Sequence, residues 1–310
     1  MTKRLTIIVF PGGANLPLWT GIKQGFFIRQ GLEVVPSYTR SSVEQISGLV
    51  SGQWDIGLTG FDNIVAYQEG QGEAKLDRAP DLFAFMGGDN AFLRLVVQKD
   101  IKSYVDLKGK TLSVDALTTG FAFVLREMLR RNGVNENDVA FESAGGVVQR
   151  FEALKAGKHV GTLVLTPFEL IAARVGLHVL QSVAEIVPHY QGIVGVASER
   201  WAAANAERLE SFIKGYLAAL RWLFDPANRK PAEAILVDNV PNMTPQLATA
   251  TCDIFLARDG GIAPLARLDP KGMQAVLELR SRYGRPQKQL ANENKYQNGS
   301  YYQRALTELS

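Results

Sequence analysis

Short apolar runs rich in β-branched residues alternate with stretches of helical periodicity along the first two thirds of the chain, and the alternation runs through twice. Residues 5–10 are apolar and stop at Pro11-Gly12-Gly13, which predicts a buried strand ending in a loop. Leu18, Ile22, Phe26 and Phe27 then recur at helical spacing up to Gly31. A strand over 32–37, a helix through Val43, Ile46, Leu49 and Val50, a strand over 54–59 and a helix over 62–69 complete the first round. The second round places strands at 83–86, 93–98, 111–114, 140–143 and 160–165, helices at 121–131, 147–156 and 168–175, and short strands at 179–180 and 192–197. A helix between two strands returns the chain to the end it started from, so such strands pair in parallel. The expectation is an α/β chain with two mostly parallel sheets, each flanked by helices.

After residue 198 the pattern turns helical. Trp201, Leu209, Phe212, Ile213, Tyr216, Leu217 and Leu220 mark one long helix over 199–224. Helices at 231–237, 245–257 and 270–283 follow, and Tyr301, Tyr302, Ala305 and Leu306 mark a short amphipathic one at the end. No Ser- or Pro-rich linker separates the two α/β units, so crossover strands are expected to join them, with 93–98 and 192–197 as the candidates. Residues 1–93 and 192–310 are assigned to a discontinuous lobe I and residues 94–191 to lobe II. A ligand would sit between the lobes, at the carboxyl ends of the strands.

The chain has 310 residues, which suits two domains. Its net charge is only +3 and its Lys and Arg residues are scattered, which argues against a nucleic-acid partner. One cysteine rules out an internal disulfide, and Cys252, beside Thr251, Ile254 and Phe255, reads as a small buried hydrophobe. His159, His178 and His189 lack metal-ligand spacing, so neither metal nor cofactor is expected. No apolar run approaches the roughly 20 residues of a membrane span. The first ten residues start basic, but their apolar run is short and reads as a strand, not as a secretory leader. The expected location is the periplasm, with the leader removed; the alternative is the cytoplasm.

Several segments resemble one family in combination. Leu18-Trp19 leading to Gly25-Phe26-Phe27 and Gly31-Leu32-Glu33-Val34 is similar to that family's opening. The run ISGLVSGQWDIGLTG over 46–60 resembles its L-x-x-G-x-x-D-x-G segment. Asp106-Leu107-Lys108-Gly109-Lys110 resembles its step into the second lobe, and Ala153-Leu154 with Gly157 its A-L-x-x-G segment. Ser198-Glu199-Arg200 ahead of a long helix resembles the return to the first lobe. The family is the substrate-binding proteins of ABC importers, in the branch serving sulfonates, nitrate and thiamine pyrimidine precursors. The resemblance covers about residues 5–240. It implies the type II two-lobe periplasmic-binding-protein fold, with helix N-termini from both lobes facing the cleft. Such termini present unpaired N–H groups to polar or anionic groups.

On that frame the candidate ligand-binding residues follow from chain position. In lobe I they are Asn15 and Trp19 after the first strand, Ser41 and Ser42 at a helix cap with Arg40 beside them, and Thr59, Phe61 and Asp62 at the third helix. Gly88 stands near the crossover, where it would let backbone approach ligand closely. In lobe II they are Thr118, Thr119 and Phe121, after Asp115, and Thr166, Phe168 and Glu169. The threonines are expected to donate hydroxyl bonds, Trp19 to stack and Phe121 to form an apolar wall. Each also has a plain structural reading: caps for the serines, a dipole-favoured first-turn acid for Asp62 and Glu169, core packing for Trp19. Arg40 is the nearest cation in lobe I and Arg150 in lobe II.

With Asp62 and Glu169 in the cleft, an inorganic oxyanion would be poorly served. A neutral or amine-bearing aromatic such as a pyrimidine fits better, and an organic sulfonate or carboxylate fits if those acids point away. The expected function is capture of a small organic molecule and delivery to a membrane permease by a monomeric, non-catalytic protein. The alternative is an enzyme on the same fold, desulfinase-like or pyrimidine-synthase-like. Those enzymes are expected to rely on a first-lobe cysteine, or on a cysteine-rich motif with a site histidine, and neither is present here.

Overall fold

In the computed structural model, which describes residues 2–90, 92–257 and 261–308, the apolar runs become strands of two five-stranded sheets. The first contains β1 (Lys3–Val9), β2 (Leu32–Tyr38), β3 (Ile56–Gly60), β4 (Leu82–Gly87) and β10 (Ile193–Ser198). Its order is β2-β1-β3-β10-β4. The second contains β5 (Arg94–Val97), β6 (Thr111–Val114), β7 (Ala140–Ser143), β8 (Gly161–Val164) and β9 (His178–Ser182), ordered β7-β6-β8-β5-β9.

Each sheet is mostly parallel, with one strand reversed. β10 runs antiparallel to β3 and β4, and β5 runs antiparallel to β8 and β9. These are the strands that enter from the other sheet. A strand arriving from outside has no crossover helix to turn it round, so it inserts in the opposite direction. The crossover candidates 93–98 and 192–197 are thus sheet members. The links between sheets are the short segments before them, residues 88–93 and 183–192.

The two links are bonded to each other. Ile193 N–H donates to Asp89 Oδ1 (2.9 Å), Gly192 N–H to the Asp89 carbonyl (3.1 Å) and Val183 N–H to the Leu93 carbonyl (3.0 Å). The Gln191 amide donates to the same Asp89 carbonyl (3.1 Å), and its oxygen accepts from Asp269 N–H (2.8 Å). Gly88 belongs to this junction, since a Cβ there would fall 2.9 Å from the Ile193 carbonyl oxygen. Its lack of a side chain serves the approach of the two links.

Alternate residues of β1 face opposite sides, as a strand's period of two requires. Leu5, Ile7 and Val9 join a core with Phe27, Phe85 and Phe212, while Ile8 faces a second core with Ile46 and Phe61. That second core continues through Met273, Val276 and Leu277 into Leu112, Phe123 and Leu125 beside the other sheet. The helix Pro270–Tyr283 is therefore shared apolar contact between the lobes. Burying one such side chain is worth about 1.5–3 kcal/mol.

Two long helices of the sequence reading are each broken in two. The stretch over 18–30 becomes Leu16–Lys23 and Phe26–Arg29, divided at Gly25, whose φ of 70° lies in the left-handed region. The stretch over 199–224 becomes Glu199–Ala204 and Ala206–Leu223, divided at Asn205.

Candidate functional site

The loops at the carboxyl ends of β1, β3, β6, β7 and β8 enclose a space of about 870 Å³, mouth included. Lobe I contributes Phe10 through Asn15 after β1, and Leu58, Thr59, Gly60, Asp62 and Asn63 around the end of β3. Lobe II contributes Asp115 and Thr119 through Phe121 after β6, Gly146, Val147 and Arg150 after β7, and Leu165, Thr166 and Phe168 after β8. Ile193 of β10 closes the back. The lobes meet beside this space: Gly146 N–H donates to the Arg40 carbonyl (3.0 Å) and Thr118 N–H to Glu73 Oε1 (3.2 Å).

Seven residues expected at the site line this cavity: Asn15, Thr59, Asp62, Thr119, Phe121, Thr166 and Phe168. Their hydrogen-bonding capacity is largely turned inward. The Asn15 amide donates to the Phe10 and Gly12 carbonyls (2.7 and 3.1 Å), which ties the loop after β1. Thr59 Oγ1 accepts from Asn63 Nδ2 (2.8 Å). Thr119 Oγ1 donates to the Ala116 carbonyl (2.9 Å) and Thr166 Oγ1 to Glu169 Oε1 (2.5 Å). A hydroxyl has one proton, so Thr119, which spends its proton on a carbonyl, can only accept from a ligand, whereas Thr166 keeps its proton for a ligand when neutral Glu169 donates across their contact. The expectation of a donated hydroxyl bond thus fails for Thr119.

The other seven lie outside the cavity lining. Trp19 is buried in lobe I, where its Nε1 donates to the Tyr38 hydroxyl (2.9 Å), so it is core and does not stack on a ligand. Phe61 is fully buried edge-on to Tyr296, with ring centroids 6.3 Å apart. Ser41 caps its helix by accepting from Glu44 N–H (3.2 Å). Ser42 and Thr118 line a smaller pocket of about 200 Å³ along the seam between the lobes. Gly88 sits at the crossover junction. Glu169 is buried behind Thr166, and burial, the largest influence, raises its pKa and favours the neutral acid.

Asp62 does not confront the cavity as a free charge. Arg280 grips it in a fork, Nε to Oδ1 at 2.6 Å and Nη2 to Oδ2 at 2.8 Å. The same guanidinium donates to Gln71 Oε1 (3.0 Å) and to the Thr118 carbonyl of lobe II (2.6 Å), and lies 4.9 Å from the Phe123 ring centroid. Arg280 is fully buried. It was missed in the sequence reading, although Met273, Val276, Leu277 and Arg280 fall at i, i+3, i+4 and i+7. A charged residue in the apolar stripe of a helix is the signal that it has a buried partner.

Arg150 is also buried, and its partners are neutral: Thr162 Oγ1 (3.1 Å), the Gly145 carbonyl (2.8 Å) and the Leu163 carbonyl (3.1 Å). Burial lowers its pKa, and the Asp115 carboxylate works the other way. The remaining walls are apolar, with Phe10, Phe121 and Phe168 converging from both lobes.

The cavity lining holds no cysteine and no histidine. Cys252 is fully buried in the helix Pro245–Phe255, where burial pushes its thiol up to about 11. Among the described residues no three of His, Cys, Asp and Glu gather as a metal site. No described helix is long and apolar enough to cross a membrane.

The model of the NMT1/THI5-like family matches residues 14–234. No curated protein sequence matches the chain significantly. Among solved structures, the periplasmic nitrate-binding protein NrtA of Synechocystis PCC 6803 superposes with a TM-score of 0.80 at 11% identity, over 100% of this chain and 89% of that one. The alkanesulfonate-binding protein SsuA of Xanthomonas axonopodis pv. citri, bound to MOPS, gives 0.73 at 15% identity over 98% of each chain. A mutant of DszB in complex with biphenyl-2-sulfinic acid gives 0.67 at 11% identity, over 99% of this chain and 100% of that one. At these identities the likeness is one of fold: two α/β lobes of the periplasmic-binding-protein type.

Proposed function

The chain belongs to the NMT1/THI5-like family, and from that premise we propose that it is the substrate-binding protein of an ABC importer. It captures one small organic molecule between its lobes and presents it to a membrane permease outside the cytoplasm, acting as a monomer. Residues 1–93 with 192–310 form one lobe and 94–191 the other, and the bonded links at 88–93 and 183–192 are the hinge.

The observation that carries the reading is the cavity itself. It lies at the strand carboxyl ends, draws its walls from both lobes and contains no thiol or imidazole that could serve as nucleophile or base. Capture and release need only two lobes and a hinge. The three phenylalanines favour a flat, partly apolar ligand, and the fork on Asp62 offsets the repulsion that its carboxylate would otherwise exert on an anionic group nearby.

A thermal-shift screen of ligand-stripped protein against pyrimidines, aromatic carboxylates, sulfonates, nitrate and amines tests this. A true ligand in large excess over its Kd adds about 3–4 kcal/mol to stability and raises Tm by several degrees. Recovery of the bound molecule unchanged by mass spectrometry supports capture. Recovery of a product would replace it with the enzymatic reading, for which the likeness to the desulfinase DszB is the structural precedent.

A further inference from the structure

Two residues of opposite charge in lobe II, Asp115 and Arg150, line the cavity with no ion pair between them. Asp115 Oδ1 is buried and has no hydrogen-bond partner among the described residues. Arg150 spends three of its five N–H groups on Thr162, Gly145 and Leu163, none of them on a carboxylate. Both residues line the cavity, Asp115 on the loop after β6 and Arg150 in the helix Val147–Lys155 that follows the neighbouring strand β7. A buried carboxylate oxygen and a buried guanidinium with unspent donors, each costly to leave unsatisfied, thus belong to the lining of one cavity without forming an ion pair.

We propose that the ligand bridges these two residues with a single uncharged group that both donates and accepts, of the carboxamide type, donating to Asp115 and accepting from Arg150. The proposal deepens the capture reading and rests on it. An anionic head such as a carboxylate or sulfonate would satisfy Arg150 but set like charge against the unpaired Asp115 oxygen. A cationic head would satisfy Asp115 and oppose Arg150. The other charged pair at the cavity, Asp62 with Arg280, is already closed on itself and adds no net preference. Phe121 and Phe168, from the same lobe, supply apolar wall for a ring attached to the bridging group. Asp115 and Arg150 are then the residues that set specificity for ligand charge.

The test uses four probes that share one ring and differ in head group: benzamide, benzoate, benzenesulfonate and benzylamine. Affinities are measured by calorimetric titration of the full-length protein. Benzamide is expected to bind at least about tenfold more tightly than any charged probe, the scale on which a like charge or an unpaired buried group discriminates. Asp115→Asn removes the repulsion on one side only, so benzoate should gain on benzamide by about tenfold while benzylamine does not. Asp115 is only partly buried, and circular dichroism of the variant separates a binding change from a folding defect. Equal or tighter binding of a charged probe by the wild type, an unchanged order in Asp115→Asn, or no binding of any probe overturns the bridge. Capture is judged separately: a bound probe recovered unchanged upholds it even when the order of affinities overturns the bridge, and a converted probe overturns capture, and the bridge with it, whatever the order of affinities.

Discussion

Arg280 concentrates more of the site's physics than any residue in its cavity wall. A fully buried guanidinium is tolerable only when its charge and its donors are matched, and here Asp62, Gln71 and the Thr118 carbonyl match them. Replacing it with methionine fills much of the volume but strands the Asp62 carboxylate. Arg280→Met should therefore lower unfolding free energy in urea by about 3–5 kcal/mol. Asp62→Asn in the same chain should restore a large part of that, because the stranded charge is gone; a double variant no better than the single one would show that packing, not charge, sets the cost. The pair also shows how far single residues could be read from the sequence. The positions of Thr59, Asp62, Thr119 and Thr166 followed from their place after strands. The direction of their hydrogen bonds did not, because a threonine proton goes to whichever acceptor the fold brings near, Ala116 in the case of Thr119. Arg280 arrives from a helix more than 200 residues away from Asp62, and no local pattern links the two.

Elements were legible where periodicity alone decides, as in the strands that build each sheet and in the helix Pro270–Tyr283. They were less so where a break depends on what lies across the core, as at Gly25 and Asn205, or where strand direction depends on which sheet the strand entered from, as in β5 and β10. At this scale Gly120 has a specific consequence. It opens the helix Gly120–Arg131, and a Cβ there would sit 2.4 Å from both Asp62 Cγ and the Tyr190 hydroxyl. Gly120→Val should hold that helix away from lobe I, weakening ligand binding by more than about tenfold while each lobe keeps its secondary structure; titration with the ligand found in the screen, alongside far-ultraviolet circular dichroism, checks both halves. The segment after Pro270–Tyr283 is fastened by Glu69, which accepts from Lys288 (2.9 Å), Tyr296 (2.9 Å) and Lys295. Burial works against the Glu69 carboxylate, but these partners outweigh it and hold its pKa at about 2, against 4.5 when free. A depressed pKa contributes stability above the unfolded value, lost as pH falls through the folded one. Glu69→Gln should thus cost about 1–2 kcal/mol at pH 7, a figure held down by the half-exposed lysines. The difference from wild type should fade between pH 4.5 and about 2 in denaturant titrations; a pH-independent difference would mean that the charge of Glu69 is not what fastens the segment.

Taken whole, the molecule has two kinds of connection between its lobes, and they set different things. The links at 88–93 and 183–192 are bonded to each other and, on the proposed capture reading, form the axis about which the lobes turn. The helix Pro270–Tyr283 bears on how far they close, since it packs on both the helix Phe61–Gln68 of lobe I and the helix Gly120–Arg131 of lobe II, and its last turn adds polar contacts to the latter. There Arg282 Nη1 and the Tyr283 hydroxyl both donate to Glu127 Oε2 at 2.8 Å. Gln191 joins the two systems, since one amide bonds the link at Asp89 and the residue that caps this helix, Asp269. The two-lobe plan could be read from the repeated alternation, but the helix that spans the lobes could not, since its sequence records only an apolar stripe and not which lobe that stripe covers. Removing the last-turn contacts with Arg282→Ala and Tyr283→Phe leaves Glu127 its partners Arg130 and Arg131 (2.8 Å each), so no buried charge is stranded. The loss is then about 1–1.5 kcal/mol of lobe–lobe attraction. Small-angle scattering of the ligand-free double variant should give a larger radius of gyration than wild type, and saturating ligand should return it to the wild-type value. Apparent affinity should weaken by up to about tenfold, as expected when the binding-competent closed form becomes the minor population. A radius unchanged by the two substitutions would mean that the hinge links alone hold the lobes together, and that the helix follows closure without favouring it.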